Sequence, residues 1–210
     1  MRPRAFAVAF SLAVVLLILL LFGIIMSPAL GRIDAQMSAA IRSLRTPVLT
    51  TIAVWITSIA NTLTMVVLVP LTALLLWLLG RRSGAIVLLV TVAVGRLAGT
   101  VIQELVHRAR PVGVALIALP TTYSFPSGHA LIAALYFGAL SFIALGEVRN
   151  PAVRYTLVTI FSVLAVAIGL SRVYLGVHYL GDVVAGWLLG SAVVVVAILG
   201  YFALSQPHEQ

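Results

Sequence analysis

An all-helical membrane bundle is the fold class this sequence predicts, and three observations predict it. Of its 210 residues, 62% are hydrophobic and only 9% are charged, a ratio no soluble core needs. The apolar residues fall in runs long enough to cross a hydrocarbon layer of roughly 30 Å. Six such runs can be counted, parted by short polar segments. With no internal repeat visible, the whole of 1–210 reads as a single integral membrane domain.

Charge and cysteine usage narrow the partners. The net charge of +8 comes from arginine alone, since the chain has no lysine. These arginines are scattered through short loops without a basic face or stripe, which argues against nucleic acid. Anionic lipid headgroups are the better match. The absence of cysteine excludes disulfides and thiol chemistry. Oligomeric state cannot be read from the sequence.

Taken in order, the first span is expected over 5–28. It follows Arg2 and Arg4, and its apolar stretch is too long for a cleaved leader. In 31–47 the residues Ile33, Met37, Ala40, Ile41 and Leu44 recur at helical spacing with Arg42 and Arg45 between them. A short helix at the headgroup level fits that pattern, as does an ordered loop. Residues 48–79 are too many for one perpendicular span and predict a long tilted helix kinked near Pro70. The polar patch Thr57, Ser58, Asn61, Thr62 and Thr64 within it reads as helix packing and hydrogen bonding. A tight turn at 80–84 leads to a helix over 85–106 that carries Arg96, a charge expected to face the bundle interior or snorkel to an interface. The connection 108–125 is followed by a helix starting at or just after Pro126, with Ser127 as a cap, and running to about 145. A turn at 146–151, a helix over 152–170, a connection at 171–177 and a last helix over 178–204 complete the chain. The polar residues 205–210 form a tail.

Six spans put both termini on one side, and the segments 31–47, 108–125 and 171–177 on the other. Raw arginine counts tie at six a side. If Arg108, Arg110 and Arg172 serve a site rather than topology, the balance favours cytoplasmic termini and an outward-facing site.

That outward end gathers the chain's chemistry. His178 and Asp182 are four apart and are expected on one face of the last helix. A carboxylate there can hold one imidazole nitrogen and leave the other free as a nucleophile. His129, at another helix start, can give a proton to a departing oxygen. Arg110 and Arg172 offer planar donor forks for phosphate oxygens. Ser127 and the N–H groups around Gly128 add the anion cradle of a helix N-terminus. Taken alone, His178 and Asp182 could be a structural pair; it is the convergence that argues for phosphate-ester chemistry. A metal is disfavoured because ligands are few and arginines crowd them. His107 reads as an interfacial residue and His208 as part of the tail. Glu104 is placed to balance Arg108, at little net value if exposed.

These residues carry a resemblance. The chain resembles the type 2 phosphatidic acid phosphatase (PAP2) superfamily, which includes membrane lipid phosphatases and vanadium-dependent haloperoxidases. Of that family's three motifs, Pro126–His129 matches the second completely, and Ser171, Arg172, His178 and Asp182 match the third. Arg110-Pro111 match the end of the first, but Gln103 stands where the family has lysine. The resemblance implies a helical core related to the haloperoxidases. It also implies catalysis without metal or other cofactor: His178 attacks phosphorus, Asp182 assists, and His129 protonates the leaving oxygen. Arg110, Arg172, Ser127, Gly128 and the position of Gln103 would bind the phosphoryl group. Glutamine donates a hydrogen bond without charge, so the expectation is weaker catalysis or replacement of the lysine by Arg108 or Arg96.

Similar bacterial enzymes act on undecaprenyl pyrophosphate, phosphatidylglycerophosphate or phosphatidic acid, and some on lipid A. An outward-facing site in a bacterial inner membrane and a compact form favour undecaprenyl pyrophosphate, then phosphatidylglycerophosphate or phosphatidic acid. A small transporter or binding protein is the reading from another class. It would place its polar residues near the bilayer midplane, and only Arg96 and the Asn61 patch support it. A haloperoxidase is disfavoured because those relatives are soluble.

Overall fold

The computed structural model describes residues 27–205 together with Gly23. Among the described residues are seven helices: α1 (Pro28–Arg42), α2 (Pro47–Ile59), α3 (Thr62–Leu78), α4 (Arg82–Val106), α5 (Gly128–Glu147), α6 (Pro151–Tyr174) and α7 (Leu180–Ser205). Nearly all of the predicted first span over 5–28, with Arg2 and Arg4, lies outside the described residues, as does the tail from 206 with His208. Four helices, α4 to α7, are long and apolar enough to cross a membrane, and α2 and α3 pass together as a bent fifth. The all-helical membrane fold is as the sequence predicts, with five of the six expected spans falling in the described residues.

Local chemistry explains several helix ends. Thr46 caps α2 by accepting from the Leu49 N–H at 3.2 Å, with Pro47 in the first turn. Asn150 does the same for α6, accepting from Ala152 and Val153, and Pro151 follows it. Each arrangement satisfies amide groups that a helix start leaves open, and proline there loses nothing. α4 stops at His107, whose left-handed backbone (φ 51°) turns the chain out of the helix.

The break in the second span is not where proline predicts it. α3 continues through Pro70, and the chain instead bends by 49° between α2 and α3. There the Ala60 and Asn61 N–H groups donate to Thr57 and Ser58, tightening the last turn of α2. The Thr64 hydroxyl donates to the Ser58 carbonyl at 2.8 Å, so the polar patch supplies what a continuous helix would have lost.

α5 is the centre of the bundle and packs against α4, α6 and α7. Two glycine pairs let its neighbours approach. Gly95 and Gly99 of α4 face Leu135 and Leu131, where an added Cβ would collide with both side chains. On α7, a Cβ on Gly186 would come within 2.8 Å of the Ser127 carbonyl, and one on Gly190 within 2.6 Å of Ala134 Cβ. Small residues four apart bring helix backbones close where apolar burial alone gives no drive in lipid. Outward, the bundle presents Leu63, Leu78 and Leu97, a surface suited to hydrocarbon rather than water.

The two ends of the bundle differ. At one, the 80–84 and 146–151 turns are joined by an ion pair between Arg81 and Glu147. At the other, Arg45 donates to the carbonyls of Tyr174 (2.9 Å) and Val114 (2.8 Å), tying together three segments distant in sequence. α1 lies at this end with Asp34 and Ser38 turned inward and Ile33 and Met37 outward.

Candidate active site

His178 precedes α7 rather than lying on it, which corrects the expectation of one continuous helix from 178. Asp182 sits in the third position of α7, and its Oδ2 accepts from the Tyr179 N–H at 2.9 Å. A carboxylate reaching back to the residue before the helix is half of a capping box, and it fixes the helix start at Leu180. The pairing survives the change: His178 Nδ1 is 3.4 Å from Asp182 Oδ2, with both residues buried. At the other ring nitrogen, Arg110 Nη1 stands 2.9 Å from Nε2. Because a guanidinium can only donate, Nε2 is the acceptor and Nδ1 carries the hydrogen facing Asp182. Burial, reinforced by Arg110 and Arg172, pushes the His178 imidazole below its ordinary value against the pull of Asp182. His178 is therefore neutral near pH 7 with a lone pair on Nε2.

Asp182 is held from every side. Ser124 Oγ donates to Oδ2 at 2.5 Å, and Arg108 Nη1 donates to Oδ1 at 2.5 Å. Arg108 Nη2 donates in turn to Asp34 Oδ2 at 2.8 Å, while Asp34 Oδ1 accepts from the Gly181 N–H. Burial opposes the charge on Arg108, but Asp182 and Asp34 outweigh it and hold the guanidinium above its ordinary value. The expected Glu104–Arg108 pairing is thus replaced, because two buried carboxylates across the fold outbid one exposed on the same helix end. Asp34 and Ser124 are site residues that sequence reasoning missed. The available signal for Asp34 was its rarity: it and Asp182 are the chain's only aspartates.

The residues expected to bind phosphate meet beside this pair. The Ser127 N–H donates to the Asp182 carbonyl at 2.9 Å, locking the start of α5 to the start of α7. Ser127 occupies the cap position of α5 without making the expected cap bond; its Oγ is buried and without a partner among the described residues. Arg172, on the last turn of α6 rather than in a connection, donates from Nη1 to Thr57 Oγ1 at 2.9 Å, and its buried Nε is likewise unpartnered. Orphaned buried donors are rare, and one at the start of α5 with another at the end of α6 fit an oxyanion. Arg110 also donates to the carbonyls of Thr122, Val177 and Tyr123, and burial holds it below its ordinary value. His129 Nε2 lies 3.0 Å from Asn61 Oδ1, so that nitrogen carries a proton. Thr57 and Asn61, read from sequence as packing residues, therefore touch Arg172 and His129 directly.

The lysine question divides cleanly. Gln103 Nε2 donates to the Pro126 carbonyl at 2.9 Å, so it faces the second motif but is engaged with backbone. Arg108, one of two expected replacements, is committed to its two aspartates. Arg96 reaches the start of α5, where its Nη1 lies 3.3 Å from the position a Cβ on Gly128 would take. Among the described residues, no group of three or more metal-ligating side chains stands together.

Comparison with known proteins bears on the family and the fold. The PAP2 superfamily model matches residues 84–205. An undecaprenyl-diphosphatase of Sulfolobus acidocaldarius is 38% identical over 59% of this chain, and the match spans 58% of that protein's length. Phosphatidylglycerophosphatase B of Bacillus subtilis is 28% identical over 83% of this chain and 86% of its own. The crystal structure of a PAP2-type phosphatidylglycerolphosphate phosphatase from Bacillus subtilis superposes with a TM-score of 0.84 at 25% identity, covering 95% of this chain and 98% of that one. With the motif residues drawn to one end of a helical bundle of this shape, the chain belongs to the PAP2 superfamily.

Proposed function

We propose that the protein is a metal-independent hydrolase of a membrane lipid phosphate or diphosphate, with undecaprenyl pyrophosphate first among its substrates. The observation that carries this reading is a neutral His178 Nε2 at the end of the bundle where two buried donors, Ser127 Oγ and Arg172 Nε, are left unpartnered. In this reading Arg110 moves from the Nε2 lone pair to a phosphate oxygen as substrate binds. Nε2 attacks phosphorus, the bond from phosphorus to the leaving oxygen breaks, and His129 gives that oxygen its proton. Water, deprotonated by His129, then cleaves the phosphohistidine and releases phosphate. Asp182, steadied by Arg108, Ser124 and the Tyr179 N–H, offsets the positive charge that grows on the imidazole. The tail stays in the bilayer while the phosphate meets the site at the headgroup level. The termini are cytoplasmic and the site faces outward across a bacterial inner membrane.

The test is phosphate release by purified protein in detergent, with EDTA, across lipid phosphates and diphosphates. Release that survives EDTA and vanishes in His178→Ala supports the reading. A folded wild-type protein that releases phosphate from no lipid removes it. Preference for phosphatidylglycerophosphate or phosphatidic acid would reassign the substrate alone.

A further inference from the structure

Arg96 stands apart from the site's other arginines. It lies in the middle of α4, a membrane-spanning helix. Its carbonyl accepts from Thr100, but its guanidinium has no hydrogen bond or ion pair among the described residues. An unpaired cation within an apolar span is costly and calls for an anion. It also lines a groove of about 280 Å³ with Ala60, Thr62, Met65, Val69 and Ile132, between the α2–α3 bend and helices α4 and α5.

The groove fixes which side of the substrate Arg96 would meet. Asn61, at the bend that heads the groove, holds the protonated nitrogen of His129. His129 is the residue assigned to the leaving oxygen, so the leaving group lies on the groove side. The attacked phosphoryl lies on the other, among His178, Arg110, Arg172 and Ser127. Arg96 itself lines the groove, and its Nη1 reaches the start of α5 beside Gly128. The glutamine at 103 brings no charge to the attacked-phosphoryl side, its amide being taken by the Pro126 carbonyl.

We propose that Arg96 binds the phosphate of the leaving group when the substrate is a lipid diphosphate and so sets a preference for diphosphates over monophosphates. This rests on the hydrolase reading above. In the step concerned, the Nε2–phosphorus bond forms and the bond from the terminal phosphorus to the bridging oxygen breaks. The lipid monophosphate leaves, its new terminal oxygen taking the proton from His129. Arg96 neutralises charge on that departing phosphate. A lipid monophosphate instead departs as an alcohol, which leaves Arg96 without an anion to hold.

The experiment compares kcat and KM for a polyprenyl diphosphate and for the monophosphate of the same polyprenol. It uses the full chain and its Arg96→Gln, Arg96→Lys and Arg96→Gln/Gln103→Lys variants. Orthovanadate inhibition of each variant checks that the attacked-phosphoryl side is intact. Loss of a charge-assisted contact should lower kcat/KM for the diphosphate about ten- to a hundredfold, with a change of less than about threefold for the monophosphate. Arg96→Lys should keep most of the preference, whereas Gln103→Lys, which adds a cation on the attacked-phosphoryl side, should not restore it. Equal losses on both substrates, or none on either, would overturn the assignment while leaving the hydrolase reading in place. A wild type inactive on both polyprenyl lipids but active on another lipid phosphate would overturn this assignment alone, and one inactive on every lipid phosphate would remove the hydrolase reading with it.

Discussion

Replacing Asp34 with asparagine should weaken both the fold and the chemistry, although residue 34 touches no substrate. Arg108 is 9% exposed and lies between Asp34 and Asp182. In Asp34→Asn the side-chain oxygen can still accept from Gly181, but an amide nitrogen facing Arg108 Nη2 would set donor against donor. The loss is one charge-assisted hydrogen bond, about 1.5–3 kcal/mol. It stays below the 3–5 kcal/mol or so of a wholly stranded buried charge because Asp182 remains. For a chain of this size that corresponds to a fall of roughly 3–12 °C in Tm. Arg108 would then lean wholly on Asp182 and displace the carboxylate from His178. A shift of that kind should cost about ten- to a hundredfold in kcat, with KM little changed. Thermal unfolding in detergent and steady-state phosphate release read the two effects separately. Glu104→Gln is the control, since the exposed carboxylate of Glu104 is no partner of Arg108. An Asp34→Asn protein with wild-type Tm and kcat would refute the reasoning.

Three further outcomes follow from the geometry. His178 must be neutral to act, and its folded pKa lies below the ordinary 6.5. The rate should therefore hold as pH falls through 6.5 and drop only below it. Stability should run the same way, because the unfolded state takes up a proton first: it is full above 6.5 and declines toward the lower, folded value. An acid limb in kcat centred above 6.5 would contradict this. Gly176→Ala should destabilise by at least about 1–2 kcal/mol, because φ is +78° and the new Cβ would meet the Val114 carbonyl and Arg45 Nη2; chemical or thermal unfolding decides it. Thr57→Val should leave Arg172 Nη1 without its acceptor and weaken orthovanadate inhibition about tenfold. Unaltered inhibition would show that Thr57 does not hold the guanidinium in place.

What could be read in the sequence was whatever lay close along the chain. Pro126 to His129 and Ser171 to Asp182 announced themselves by spacing, because the start of α5 carries the first set and the end of α6, a short connection and the start of α7 carry the second. Long apolar runs fixed the helices for the same reason. Helix ends were less legible: α6 runs on to Tyr174 and α7 waits until Leu180, since the backward reach of Asp182 to Tyr179 sets the boundary. Pro70 looked like the kink, yet the bend belongs to Ala60 and Asn61, where side-chain and backbone bonds make a break cheap. Asp34 and Ser124 escaped notice, and Thr57 and Asn61 were read as packing and hydrogen bonding without a site role, because their partners are far away in sequence. No local pattern announces a hydrogen bond from Arg172 to Thr57.

Arg108 also has a place in time. Asp34 precedes it by 74 residues and Asp182 follows it by the same 74. A chain made from its N-terminus offers Arg108 a carboxylate on α1 well before the second one exists. The guanidinium can be neutralised while α5 and α6 are still being added, and the later arrival of α7 completes the set rather than rescuing a bare charge. Asp34 serves, on this order of events, as the chaperone of a residue whose eventual purpose lies at the other end of the chain.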